Sequence, residues 1–251
     1  MAIGFESFGE GAHKVIALHG WFGDQTFMAP MREALSGEEF TYVFPAYRGY
    51  GASRDQAGAY TLEEISADVR ALIDRLGFDK VSLVGHSMGG KFMQRIALDA
   101  PGRVRRMVAV TPVPAAAVPF DEQGWALFSG APESLGNRRA ILDFSTGSRL
   151  SGAWLDHMAA ASWENCTQAA FAAYLTAWAK ADFHQEVMGS RIPIKIIVGA
   201  HDSAITAEAM QATYLVWHKN AALEVMANAG HYPMNETPVA LATSIEAFLR
   251  G

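Results

Sequence analysis

The sequence predicts an α/β fold: a mostly parallel, doubly wound sheet with helices on both faces and a helical cap insertion. Three observations predict it. Apolar strand-like runs recur along the chain with helical patterns between them, the alternation of a buried parallel sheet. That rhythm lapses once, between Thr111 and about Ser190, a gap of roughly eighty residues that exceeds any ordinary connection and so carries structure of its own. The chain is 251 residues long, half of them apolar and 18% charged, which suits one well-buried core.

Taken in order, IGFESFG (3–9) reads as a weak edge strand and KVIALHG (14–20) as the first strong strand. FTYVFPAY (40–47), KVSLVG (80–85), RMVAVT (106–111), PIKIIVGA (193–200) and ALEVMANAG (222–230) complete the set. After Tyr60, Thr61 and Glu64 form a capping box, Leu62, Ile65, Val69, Leu72, Ile73 and Leu76 share one face, and Gly77 can close the helix. A second helix runs from about Met88 to Ala100 and stops before Pro101. The long gap opens on TPVPAAAVPF, whose prolines discourage helix, and continues through helices near 121–129, 133–143, 151–162 and 167–181. The division expected is a core of residues 1–112 and 190–251 with a cap of residues 113–189.

The net charge is −6, and no basic cluster exceeds RVRR at 103–106, so nucleic acid is not an expected partner. The single Cys166 has no intramolecular disulfide partner and no metal-ligand spacing around it, which suits a reducing compartment. The first residues lack the basic and apolar regions of a signal peptide, and no apolar run reaches the ~18 residues of a membrane span. A cytoplasmic protein, monomer or homodimer, with a small-molecule substrate and no membrane association is the expectation.

Gly85-His86-Ser87-Met88-Gly89 fits G-x-S-x-G, with Gly90 added. Alone, so short a pattern is equally a plain strand-to-helix turn holding a small serine. Its setting, directly after a strand and before a helix, is the one the motif requires. Serine is a weak nucleophile at neutral pH and needs a base, which in turn needs an orienting group. In a doubly wound sheet those groups belong in loops at the carboxyl ends of later strands. Asp202, in GAHDSAIT, and His231, in NAGHYPMNETP, stand there. The readings set against them are a helix cap for Asp202, a role Thr206 fills as well, and a loop histidine for His231. Of the other histidines, His86 is expected to point away from the elbow, His157, His184 and His218 fall in helical stretches, and His201 is only a neighbour of Asp202. Two N–H donors must meet the charge that develops on a carbonyl oxygen; Met88 at the helix start and Trp21 in LHGWFGD are the candidates.

With these residues in place the chain resembles the α/β-hydrolases of the large esterase- and lipase-like superfamily. The matching pieces are HGW (19–21), YRGYGAS (47–53), GHSMGG (85–90), GAHD (199–202) and NAGHYPMNETP (228–238), in the family's order of nucleophile, acid, histidine. The resemblance implies Ser87 as nucleophile, Asp202 as acid, His231 as base, the N–H groups of Trp21 and Met88 as oxyanion hole, and Arg48 and Ser53 in a structural loop beneath the site. It implies no metal or organic cofactor. The chain departs from the family in its short N-terminus, which leaves little room for a first strand common there, and in Ala46, where many relatives carry Asp.

Serine at position 87 argues against relatives that attack with a carboxylate. The expected reaction is hydrolysis of an ester, thioester or lactone of a small to medium, largely apolar substrate. C–C bond hydrolysis, acyl transfer, perhydrolysis and non-catalytic ligand reception on the same scaffold are the alternatives. Trp125, Phe128, Trp154, Met158, Trp163, Phe171, Tyr174 and Trp178 of the cap supply core, and some of them a roof over Ser87.

Overall fold

Each apolar run becomes a strand of one seven-stranded sheet in the computed structural model, which describes residues 2–251. The strands are β1 Phe5–Phe8, β2 His13–Leu18, β3 Phe40–Pro45, β4 Val81–His86, β5 Val104–Val110, β6 Ile194–Gly199 and β7 Ala221–Met226. They lie in the order β1-β3-β2-β4-β5-β6-β7, all parallel except β1, which pairs antiparallel with β3. The weak opening strand is therefore real, and it sits at an edge. Val15, Ile16, Ala17 and Leu18 of β2 are all buried, so both faces of the sheet are covered and no polar alternation is needed. The run 222–230 leaves the sheet at Met226, because the Ala229 carbonyl turns to accept the N–H of His201.

The helices are α1 Leu62–Arg75, α2 Met88–Asp99, α3 Glu122–Gly130, α4 Leu135–Ser145, α5 Gly152–Glu164, α6 Gln168–Lys180, α7 His184–Val187, α8 Ala207–Ala212, α9 Tyr214–Trp217, α10 Pro233–Glu236 and α11 Pro238–Arg250. Thr61 caps α1 as its sequence requires, accepting the Glu64 N–H. In the insertion, Asp121, Ser134, Ser151 and Thr167 cap α3 to α6 in the same way, which explains why those helices start where they do. His218 lies just past α9 in extended backbone rather than within a helix. Arg48 pairs with Asp68, and Ser53 Oγ accepts the Gly4 N–H, so both are structural as expected.

Lys91 joins sheet and cap. It is fully buried on α2, and its Nζ donates to the carbonyls of Ala116, Trp178 and Ala181 at 3.0, 2.7 and 2.5 Å, clipping both ends of the insertion to one helix. Three acceptors match the three protons of an ammonium, yet burial pushes the pKa from 10.5 down to about 7, against the weaker pull of Asp182. Between those values the unfolded chain binds more protons than the folded one, so stability rises with pH across that window. Lys91→Met is expected to flatten the rise by up to about 1.4 kcal/mol per pH unit, read as the difference between urea-unfolding free energies at pH 7 and pH 9. The slope is the informative quantity, since methionine also strands the three carbonyls. A slope unchanged by the substitution would mean that Lys91 keeps its proton.

Candidate active site

The chain reverses direction across the sheet at β2, with β3 on one side and β4 on the other. Such a reversal opens a crevice at the carboxyl ends of the two strands. Leu18 stands opposite Gly85 in the β2-β4 register, so the loops that leave these strands begin level with each other. The turn at Ser87 and the loop His19-Gly20-Trp21 therefore meet over the crevice.

Ser87 has φ 52° and ψ −117°, a conformation that costs an L side chain on the order of 1–3 kcal/mol. Its N–H donates to Val110 O at 3.0 Å, and its carbonyl accepts from Gly90 and Val113, so the strained residue is held from three directions. The glycines allow this closeness. A Cβ on Gly85 would lie 2.4 Å from the Gly89 carbonyl oxygen, and one on Gly89 would lie 2.5 Å from the Leu18 carbonyl oxygen.

Asp202 and His231 come together from loops after β6 and β7. His231 Nδ1 lies 2.6 Å from Asp202 Oδ2, with the carboxylate buried. Asp202 Oδ1 accepts the N–H groups of Ala204 and Ile205 at 2.8 and 2.9 Å, while Thr206 caps α8. The carboxylate thus holds its own loop with one oxygen and the imidazole with the other. The hydrogen bond puts the ring proton on Nδ1 and leaves the Nε2 lone pair free. No hydrogen bond joins Ser87 Oγ to this ring among the described residues, and both side chains line one cavity.

The backbone of His231 is clamped by residues outside the Ser87, Asp202 and His231 set. Its N–H donates to Ser145 O at the end of α4, and its carbonyl accepts from Thr111 Oγ1 at 3.0 Å and from His86 Nε2 at 2.9 Å. Glu236 accepts the N–H groups of Gly230 and Tyr232, one on each side of His231, and pairs with Arg149 at 2.6 Å. His86 departs from expectation: it lines the cavity, its ring 5.2 Å from that of His231. Burial, reinforced by the neighbouring His231, pushes its pKa down to about 3. It is a neutral ring that donates through Nε2.

Trp21 stands in the loop after β2, and Met88 follows Ser87 directly. Met88 begins α2, where an N–H has no intrahelical acceptor. His19, fully buried and pushed down to about 4 by burial, donates from Nδ1 to the Gly20 carbonyl at 2.8 Å and accepts the Tyr47 N–H at Nε2. In a trans peptide the N–H of Trp21 points opposite to that carbonyl, so His19 fixes the direction of the donor. The indole of Trp21 serves the cap instead: Nε1 donates to Phe171 O at 2.8 Å and the ring stacks on Phe171 at 4.0 Å. On its far face Phe171 carries the buried Arg138 guanidinium at 3.6 Å, which donates to the carbonyls of Ala131 and Ser162.

The cavity measures about 290 Å³. Of the aromatic residues between 113 and 189, Phe120, Phe128, Phe144 and Trp178 line it, Phe171 backs Trp21, and Trp154 packs on Tyr232 at 5.6 Å. Among the described residues, no Asp, Glu, Lys or Arg lines this cavity, no group of three or more His, Cys, Asp and Glu converges to hold a metal, and no helix is long and apolar enough to cross a membrane.

Residues 15–244 match the model of the alpha/beta hydrolase family. The chain is 24% identical over 256 residues to 3-oxoadipate enol-lactonase 2 of Acinetobacter baylyi, covering 100% of this chain and 94% of that protein. A fluoroacetate dehalogenase from Burkholderia sp. is 34% identical over 105 residues, a local match to 40% of this chain and 34% of that protein. In fold, the chain is similar to a hydrolase from Oleispira antarctica, with TM-score 0.88 and 19% identity over 98% of this chain and 94% of the other. An esterase from Exiguobacterium antarcticum gives TM-score 0.87 and 18% identity over 99% and 96%. Sheet order, strained serine turn and family match agree: the chain belongs to the alpha/beta hydrolase family.

Proposed function

We propose that the protein is a serine hydrolase that cleaves the carboxylic ester, thioester or lactone of a small to medium, largely apolar substrate through an acyl-enzyme on Ser87. One observation carries the reading: an Asp202-His231 pair at 2.6 Å opens into the same cavity as a serine held at positive φ. His231 Nε2 takes the Ser87 proton as Oγ attacks the carbonyl carbon, and Asp202 stabilises the imidazolium that forms. The N–H groups of Trp21 and Met88 receive the oxyanion, with the α2 dipole behind Met88. His231 then protonates the leaving group, and water releases the acid by the same route. The full-length likeness to an enol-lactonase and the fold likeness to an esterase support acyl chemistry, and Ser87 is not the carboxylate that a carbon-displacing nucleophile would be.

Residues 113–189 roof the site in this reading. The lining is largely apolar and holds no Asp, Glu, Lys or Arg, so a substrate carboxylate or ammonium bound there would lose its hydration with no charged partner in return. Neutral acyl groups are the substrates that fit. The test is turnover of p-nitrophenyl butyrate together with labelling by a fluorophosphonate, which should stop turnover at one equivalent and map to Ser87. A label elsewhere, or hydrolysis that survives full labelling, would refute the assignment.

A further inference from the structure

A residue at positive φ keeps that conformation only when its surroundings over-determine it, and for Ser87 the surroundings are two segments. Its carbonyl accepts the N–H groups of Gly90, on α2, and of Val113, while its own N–H donates to Val110. The segment 110–113 also reaches the base, since Thr111 Oγ1 donates to the His231 carbonyl at 3.0 Å. Thr111 has φ 40°, again a left-handed value, so nucleophile and base both lean on a stretch that is itself strained. That stretch is pressed against the start of α2: a Cβ on Gly90 would lie 2.3 Å from Pro112 Cβ.

The two residues that grip the Ser87 carbonyl turn their own carbonyls to one atom. Tyr214 Oη, at the start of α9, lies 3.1 Å from Gly90 O and 3.2 Å from Val113 O, and its single proton is shared between them. The direction of that proton is fixed from behind. Gln94 Nε2 donates to the Tyr214 oxygen at 2.8 Å and lies 3.3 Å from Gly90 O. A carbonyl only accepts, so the amide nitrogen of Gln94, not its oxygen, must face Gly90. Gln94 Oε1 then accepts the Nε2–H of His218 at 3.1 Å. His218 Nδ1 is buried without a partner among the described residues, so the bond to Gln94 is the one polar contact its ring makes there. Burial pushes the His218 pKa down to about 4 and holds the ring neutral, stacked on Tyr214 at 5.6 Å. All three side chains are buried and none lines the catalytic cavity, so they reach the chemistry only through the backbone.

Resting on the serine-hydrolase reading, we propose that Tyr214 is a positioning residue for the nucleophile, and that Gln94 and His218 are the pair that aims its hydroxyl. The tie joins α2 to the segment 110–113 directly behind the strained turn. Without it the Gly90 and Val113 carbonyls lose their common donor, the two segments part, and Ser87 Oγ shifts relative to His231 Nε2 and the Met88 N–H. The walls of the cavity stay as they are, because no member of the chain belongs to them.

The experiment is a double-mutant cycle read as the second-order rate at which a fluorophosphonate labels Ser87. Tyr214→Phe keeps the ring and removes the tie. It should slow labelling by about 10- to 100-fold, the scale of a displacement of up to about 1 Å, and lower kcat/KM on p-nitrophenyl butyrate by the same factor. Gln94→Met should slow labelling about 2- to 10-fold in the parent, the worth of one neutral hydrogen bond, and not at all in the Tyr214→Phe background, where no hydroxyl is left to aim. Ile245→Val, a buried change on α11, is the control that lowers the thermal midpoint without slowing the label. A folded Tyr214→Phe protein labelled at the parental rate overturns the positioning role and leaves the hydrolase standing. Equal slowing by Gln94→Met in both backgrounds overturns the route through Tyr214. Where Tyr214→Phe fails to fold, Gln94→Met decides alone: slower labelling supports the role and the parental rate overturns it. A parent protein that neither labels at Ser87 nor turns over the ester overturns the hydrolase reading, and the positioning role with it.

Discussion

Ser87→Ala is expected to lower kcat on p-nitrophenyl butyrate by roughly 10⁵- to 10⁶-fold, the scale on which removing a nucleophile acts when the rest of its machinery is intact. The residual rate should stay above that in water, because the Trp21 and Met88 donors remain. Folding should be little changed. Alanine keeps the Val110, Gly90 and Val113 backbone contacts of position 87 and suffers the same positive φ, whereas Ser87→Gly, which relieves that conformation, should be the more stable of the two variants. Steady-state rates and thermal melts of both proteins check this. A Ser87→Ala protein within tenfold of the parent rate would show that another group attacks.

Asp202→Asn should cost about 10⁴-fold in kcat with the loop preserved. The asparagine carbonyl can still accept the N–H groups of Ala204 and Ile205, so the backbone of the β6-α8 connection has no reason to move. What changes is the partner of His231 Nδ1. An amide N–H₂ facing it donates rather than accepts, moves the ring proton to Nε2, and leaves no lone pair to receive the serine proton. Asp202→Ala, which also strands the two loop N–H groups, should lose stability in addition to activity. Comparing kcat and urea midpoints of the two variants separates these effects. If Asp202→Asn kept more than a tenth of the parent kcat, another carboxylate would have to orient the imidazole.

Much of this was legible before any coordinates. The strands follow from uninterrupted apolar runs, and the cap helices from Asp121, Ser134, Ser151 and Thr167, each a side-chain oxygen whose partner is the N–H three residues ahead. Ser87, Asp202 and His231 are legible because each stands at a strand end whose position is itself legible, and the structure brings Asp202 and His231 into contact and Ser87 into the same cavity. The helix α10 is not legible in the sequence, because at four residues it is too short to show a helical period and packing decides it.

The division between chain and fold is one of range. By itself the sequence determined the α/β class, the elbow and the strand-end positions of Asp202 and His231, because apolar periodicity, capping and glycine placement act within a few residues. Only the tertiary structure decided that His86 turns into the site to grip the His231 carbonyl 145 positions away, and that Lys91 ties Ala116 to Trp178 and Ala181. Those contacts depend on where backbone carbonyls and ring nitrogens come to rest after strands β2, β4, β5 and β7 are in register, and no local pattern of side chains encodes that position.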